Sequence, residues 1–344
     1  MISSRFTDSY GITHPIAQAG MAFVGMTPDL ALAVCAAGGL GSIGVGLMPP
    51  PALKATIDAL RAGTSKPFNI NFITSLSSLA QIEVAANAGA PVASFHWGHP
   101  PREWIDLLHE AGTKVWEQVG SPDAAKRAVD DGIDLVIAQG TEAGGHNLGT
   151  LPTFALLPLV VDAVAPALVL GAGGIADGRG LAAALMLGAD GAWIGTRLVA
   201  TQESLAHAEY KARLVSAQGQ DTVRTRVFGP DLPDFNPMRV LRNRVVAHWQ
   251  DRVGEIPADT SNEPVIGRID LMGMGLDLHK FSSFVPIATT TGDFEEMPML
   301  AGQGVGLIES IPTVSEAISQ IVTDATNMVT GISARAKLAR RSGG

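Results

Sequence analysis

Short apolar runs alternate with amphipathic stretches eight times along this 344-residue chain, and few folds accommodate that rhythm. The candidate strands are 15–20, 39–44, 68–73, 92–97, 114–119, 135–139, 167–170 and 191–198. The stretches between them carry helix punctuation. Thr27-Pro28-Asp29 and Ser121-Pro122-Asp123 each offer an N-cap, a proline at the first helical position and an early acid. Ala37-Gly38, Ala62-Gly63, Ala88-Gly89 and Ala111-Gly112 each offer a glycine stop. Parallel strands need such crossover helices, and eight units favour a closed (β/α)8 TIM barrel, an α/β fold, over an open sheet. The literal G-x-G-x-x-G at Gly39, Gly41 and Gly44 does not alter this. A dinucleotide fingerprint follows a strand and opens a helix, whereas this one is itself the strand, so it reads as backbone packing.

Two departures from the rhythm set the domain organisation. From 204 to 286 the chain turns polar, too long for one βα loop, and reads as an inserted, mainly helical lid or substrate domain. The barrel is then 1–203 and 287–344, with a helix over 314–329 as its eighth and the glycine loop 301–306 before it. Hydrophobic residues make up 46% and charged residues 17%, which suits strands buried on both faces and leaves little room for disorder. A net charge of −9, with no basic cluster beyond a solvated tail at 335–341, excludes a nucleic-acid surface. The single cysteine, Cys35, reads as a small core residue of an apolar helix. The N-terminus lacks the pattern of a signal peptide, and the apolar stretch 154–174 is broken by Pro158, Asp162 and Pro166. A cytoplasmic protein without a membrane span is expected; oligomeric state is not legible.

In a barrel of this class, function gathers at the carboxyl ends of the strands. Leu135–Gln139 runs into Gly140, Gly144 and Gly145 and then His146, a histidine held by a glycine-rich turn and well placed to move a proton near neutral pH. Strand seven leads into Gly171-Ala172-Gly173-Gly174-Ile175, and strand eight carries Gly195-Thr196. Adjoining glycine loops of this kind make an anion nest where a phosphate is expected. Gln18-Ala19-Gly20-Met21-Ala22 offers a close backbone edge, and Asn69 and Asn71 offer amides that donate and accept at once, as a flavin requires. His96 and His99 have metal-like spacing but no third ligand, so they read as pocket-wall or hydrogen-bonded residues, and no metal is expected. His14, His109, His207, His248 and His279 read as structural.

The segments 15–22, Asn71, Ser94-Phe95-His96, Gln139-Gly140-Thr141-Glu142-Ala143-Gly144-Gly145-His146, Ala172-Gly173-Gly174-Ile175 and Ala301-Gly302-Gln303 together resemble the nitronate monooxygenase family, formerly called 2-nitropropane dioxygenases. The resemblance is weakest in the insert. It implies non-covalent FMN surrounded by Gly20, Met21, Ala22, Asn71, Gln139, Gly144, Gly173, Gly174, Gly195, Thr196 and Gln303, with His146 as the catalytic base. Asn147-Leu148-Gly149 and Trp193-Ile194 depart from the pattern, so the walls there differ. The implied activity is oxidation of alkyl nitronates, or of nitroalkanes after proton removal, with O2 to a carbonyl compound and nitrite. Two alternatives stay open: an NAD(P)H-dependent FMN reductase acting on a quinone or enoyl thioester, and a non-catalytic flavin-binding module.

Overall fold

The computed structural model describes residues 2–271 and 273–342, with side chains up to Gly331. Alternation of short strands and helices closes into a barrel. The strands are β1 (Ile16–Gln18), β2 (Gly41–Gly44), β3 (Phe68–Ile73), β4 (Val92–His96), β5 (Lys114–Val119) and β6 (Leu135–Gln139). After a two-residue strand β7 (Gly145–His146) come β8 (Leu168–Ala172) and β9 (Gly191–Ile194). Eight of them pair in parallel in the order β1-β9-β8-β6-β5-β4-β3-β2. A parallel bridge between Ala17 and Leu40 joins the two ends of the ring.

Helices α1 (Arg5–Tyr10), α2 (Pro28–Ala36), α3 (Pro50–Gly63), α4 (Leu79–Asn87), α5 (Arg102–Glu110) and α6 (Pro122–Asp130) precede α7 (Thr153–Val164) and α8 (Gly178–Met186). Ser121 caps α6 through its side chain, and α2 begins at Pro28, as their sequences require. Cys35 lies buried in α2. The motif glycines of β2 are packing residues: a Cβ on Gly41 would lie 2.1 Å from the Ala31 carbonyl oxygen. Helix α1, which the sequence pattern did not reveal, fills the barrel from below. Phe6 and Tyr10 pack on Trp116, whose indole N–H donates to the Tyr10 hydroxyl at 2.6 Å, and Trp116 meets Trp193 at 6.1 Å. Such filling makes the barrel a packed core with its function at one rim.

The last strand ends earlier than the apolar pattern suggests. Gly195 breaks it, and Thr196–Val199 forms the short helix α9. The chain then leaves the barrel through α10 (Ala208–Ser216), β10 (Thr222–Thr225), β11 (Met238–Leu241) and α11 (Arg244–Trp249), followed by β12 (Val265–Leu271), β13 (Met274–His279) and β14 (Thr291–Gly292). Strands are as much a part of this segment as helices. The β-branched residues of T-V-R-T suit the strand they form. β10 and β11 pair antiparallel, and β11 also pairs with β7, placing Met238 opposite His146 and Arg239 opposite Gly145. The chain returns through α12 (Val314–Ser342), which packs on α8 and α2 in the eighth helical position and runs past the expected end at 329. The basic stretch 335–341 continues this helix; its side chains lie outside the described residues.

Candidate active site

The loops at the carboxyl end of the barrel and the inserted segment enclose a cleft of about 280 Å³. Gly20, Met21, Ala22, Asn71, Gln139, Gly144, His146, Gly173, Gly174, Gly195 and Thr196 all line it. Gln303 does not. Its N–H donates to the Glu142 carbonyl at 2.8 Å and its side chain is exposed, while its neighbours Gly302 and Gly304 face the cleft.

Asn71 is oriented by a buried polar chain. β3 alternates its side chains, so Asn69 and Asn71 share one face, opposite Ser42 and Ser94 of the adjoining strands. Asn69 Nδ2 donates to Ser42 Oγ at 2.6 Å and Ser94 Oγ at 2.8 Å, and Ser94 Oγ donates to Asn71 Oδ1 at 2.8 Å. With its oxygen engaged, Asn71 keeps its NH2 group for a ligand. The β1 loop comes so near that a Cβ on Gly20 would lie 2.1 Å from the Asn71 side chain. On the opposite side, Gly173 and Gly174 take φ of 104° and 74°, a left-handed backbone that glycine adopts without strain. Among the described residues these two N–H groups and that of Thr196 have no backbone acceptor. A Cβ on Gly174 would meet nothing nearer than 3.7 Å, which leaves open space in front of the nest. Thr196 Oγ1 accepts from Gly302 N at 3.0 Å and retains its own proton to donate. A cleft with a free amide donor on one side and unpaired backbone N–H groups on the other suits a ring system that carries a phosphate.

His146 sits between these regions. Its ring stacks on Phe235 with centroids 3.5 Å apart, and Trp97 meets it edge-on at 5.6 Å. Nδ1 is buried without a partner. Burial, then the neighbouring His96, holds its pKa down at about 3, partly offset by the Phe235 backbone. The imidazole is therefore neutral at physiological pH, the state a proton acceptor needs. His96, at the end of β4, also lines the cleft, with burial lowering its pKa to about 4. Its Nδ1 lies 3.2 Å from the Phe72 carbonyl, which can only accept, so the proton sits on Nδ1 and Nε2 is bare. His99 turns away, to Glu117 at 2.7 Å and Asp131 at 3.1 Å, so the two histidines make no metal pair.

The loop bearing His146 is braced at several points. Gln139 Nε2 donates to the His146 carbonyl at 3.2 Å, and Asn147 Nδ2 donates to Gly140 O at 2.9 Å. Arg224 reaches the Asn147 carbonyl at 2.6 Å, and Arg239 reaches that of Thr141 at 3.0 Å. Gly144 passes the 301–302 backbone so closely that a Cβ there would lie 2.6 Å from Ala301 C. Asp231, Leu232 and Phe235, from the loop between β10 and β11, complete the lining with Tyr210 and were not singled out from sequence. The available signal was a leucine and a phenylalanine spaced through a Pro/Asp-rich turn, G-P-D-L-P-D-F-N-P. That loop is tied down where the chain leaves β4 with Trp97 at φ 63°, a left-handed conformation costing about 1–2 kcal/mol. The Trp97 indole N–H donates to Asp234 O at 2.5 Å.

A sequence description of nitronate monooxygenases matches residues 3–324. The chain belongs to the nitronate monooxygenase family. It is accordingly an oxidoreductase of a flavin-dependent class, built on a TIM barrel. A Mycobacterium tuberculosis protein named (3aS,4S,5R,7aS)-5-hydroxy-7a-methyl-1-oxo-octahydro-1H-indene-4-carboxyl-CoA dehydrogenase is 34% identical over 94% of this chain and 96% of its own. FabK from Thermotoga maritima is 36% identical, with a TM-score of 0.80 covering 97% of this chain and 100% of that one. The nitroalkane oxidase of Streptomyces ansochromogenes is 28% identical, with a TM-score of 0.77 covering 95% and 99%. Among the described residues of this family member, no helix is long and apolar enough to cross a membrane.

Proposed function

We propose that this family member binds FMN in the cleft and oxidises a nitroalkane or its nitronate with O2 to a carbonyl compound and nitrite, with His146 as the base. The observation that carries this reading is the His146 imidazole, uncharged at neutral pH, in one cleft with Asn71, the Gly173-Gly174 turn and Thr196. The residues fit FMN: the Gly173-Gly174 nest and Thr196 would hold the phosphate, while Asn71, Gln139 and the 20–22 backbone would face the ring. Bound FMN supplies electron acceptance from the substrate and electron delivery to O2. His146 would take the acidic α-proton of a neutral nitroalkane, a step that needs its ring uncharged. Gln139 and the β7–β11 pairing fix the backbone from which that ring projects. Phe235 stacks on the His146 ring and covers one face of it. Residues 204–286 serve as the lid in this reading.

His146→Asn should lower kcat/KM on neutral nitroalkanes by about 100- to 10,000-fold, the usual worth of a general base. Preformed nitronates should lose far less. Equal losses on both would remove His146 from the role of base. A second reading rests on the Mycobacterium relative, whose name gives a carboxyl-CoA thioester as substrate. The carbon next to a thioester carbonyl is also acidic, so the same histidine could serve a thioester oxidation or, in reverse, a reduction supplied by NAD(P)H.

A further inference from the structure

Nitroalkanes and nitronates differ widely in what they carry beyond the reacting carbon, and the wall near His146 selects among them. Resting on the reading above, we propose that the substrate bears an uncharged apolar chain or ring, and that small nitronates with a second anionic group are poor substrates. Ile73, Trp97 and Phe235 form a separate apolar cluster with Leu76 packed on it, at the end of the cleft where His146 lies. Leu47 and Leu232 also line the cleft, yet they are 66% and 37% exposed, which puts them at its mouth. Large apolar side chains at a rim gain most when a ligand chain covers them.

Charge points the same way. Among the described lining residues there is no lysine or arginine, and Asp231 is the one carboxylate. Both histidines of the cleft are neutral, and His96 turns a bare acceptor nitrogen inward. Of the neutral polar side chains in the lining, Gln139 gives one N–H to the His146 carbonyl and the Tyr210 hydroxyl donates to that of Leu300, while Gln118 and Ser283 offer only uncharged groups. A carboxylate tail would thus be desolvated against apolar walls near Asp231 with no cation to receive it. An alkyl tail would be buried with each added methylene contributing a favourable increment, until it leaves the rim.

The test uses the flavin-bound enzyme and measures kcat/KM for the nitronates of nitroethane, 1-nitrobutane and 1-nitrohexane beside propionate 3-nitronate. We expect about a two- to four-fold rise per added methylene, and propionate 3-nitronate at least about ten-fold below the butane compound. Asp231→Lys should recover much of the deficit on propionate 3-nitronate. A flat series, or propionate 3-nitronate equal to the butane compound, would overturn the proposal while leaving nitronate oxidation in place. If no nitronate is turned over, the functional reading fails, and the apolar chain is tested by binding alone. Neutral 1-nitroalkanes are then titrated against the fluorescence of Trp97 and Trp193. A Kd that falls with chain length sustains the proposal, and one independent of length removes it.

Discussion

Two neutral histidines in one cleft have consequences for pH at the level of single residues. Each is depressed from an ordinary value of 6.5, His146 to about 3 and His96 to about 4, with burial the largest cause. In the unfolded chain both would take up protons as the pH falls through 6.5, while in the folded chain they would not until much lower. The stability that depends on their neutrality is therefore complete above 6.5 and is lost as the pH falls toward 4 and 3. Urea midpoints at pH 8, 6 and 4.5 should decline across the last interval, and a His96→Gln, His146→Asn double variant should show a shallower decline. The same depression sets the activity profile: kcat/KM for a neutral nitroalkane should stay level through pH 6 and fall only well below it. An acid limb centred on 6.5 would show that the base is a well-solvated group and not the half-buried His146. Asn71 offers a different residue-level test. Asn71→Leu removes the amide that the Ser94 hydroxyl orients, and we expect FMN affinity to drop by about 10- to 100-fold, measured by flavin fluorescence on dilution.

At the level of elements, the loop of His146, the proposed base, is held by the β10–β11 ribbon and not by the barrel strands alone. Arg224 and Arg239 stand opposite one another in the β10–β11 register, a like-charged pair that would normally be unfavourable. Their guanidinium groups are instead spent on carbonyls of the loop that carries His146. Arg239→Met should leave the Thr141 carbonyl unpaired and cost about 1–3 kcal/mol of stability. With the loop loosened, kcat should fall more than KM changes; an unaltered kcat would show that the ribbon does not position the base. How far such detail could be read beforehand varied with locality. The end of Leu135–Gln139, the Gly173-Gly174 turn and His146 were visible because each signal lies within a few adjacent residues. Phe235 was not, because its stacking on His146 joins positions 89 apart in sequence through a loop whose composition says only "turn". Gln303 shows the converse: the right loop was identified, but a one-residue difference in direction puts Gly302 and Gly304 at the cleft and the glutamine side chain in solvent.

Over the whole molecule, the alternation of strand and helix made the barrel legible, since parallel strands have few ways to be connected. The insert was harder because its β10–β11–β7 sheet borrows a two-residue strand from the loop that carries His146, and its β12–β13 hairpin draws in β14 from beyond residue 286. Pairings that cross domain boundaries leave no periodic trace in either partner. The resulting architecture joins a rigid barrel rim, which can hold a phosphate and a flat ring, to a ribbon that shapes the remaining wall. The most direct test of this arrangement is an anaerobic one. The purified flavin-bound protein is mixed in separate cuvettes with the nitronate of 1-nitrobutane and with NAD(P)H, and the oxidised flavin band is followed. We expect prompt bleaching by the nitronate and little by NAD(P)H. Bleaching by NAD(P)H alone would contradict the proposed oxidation and favour the reductase reading.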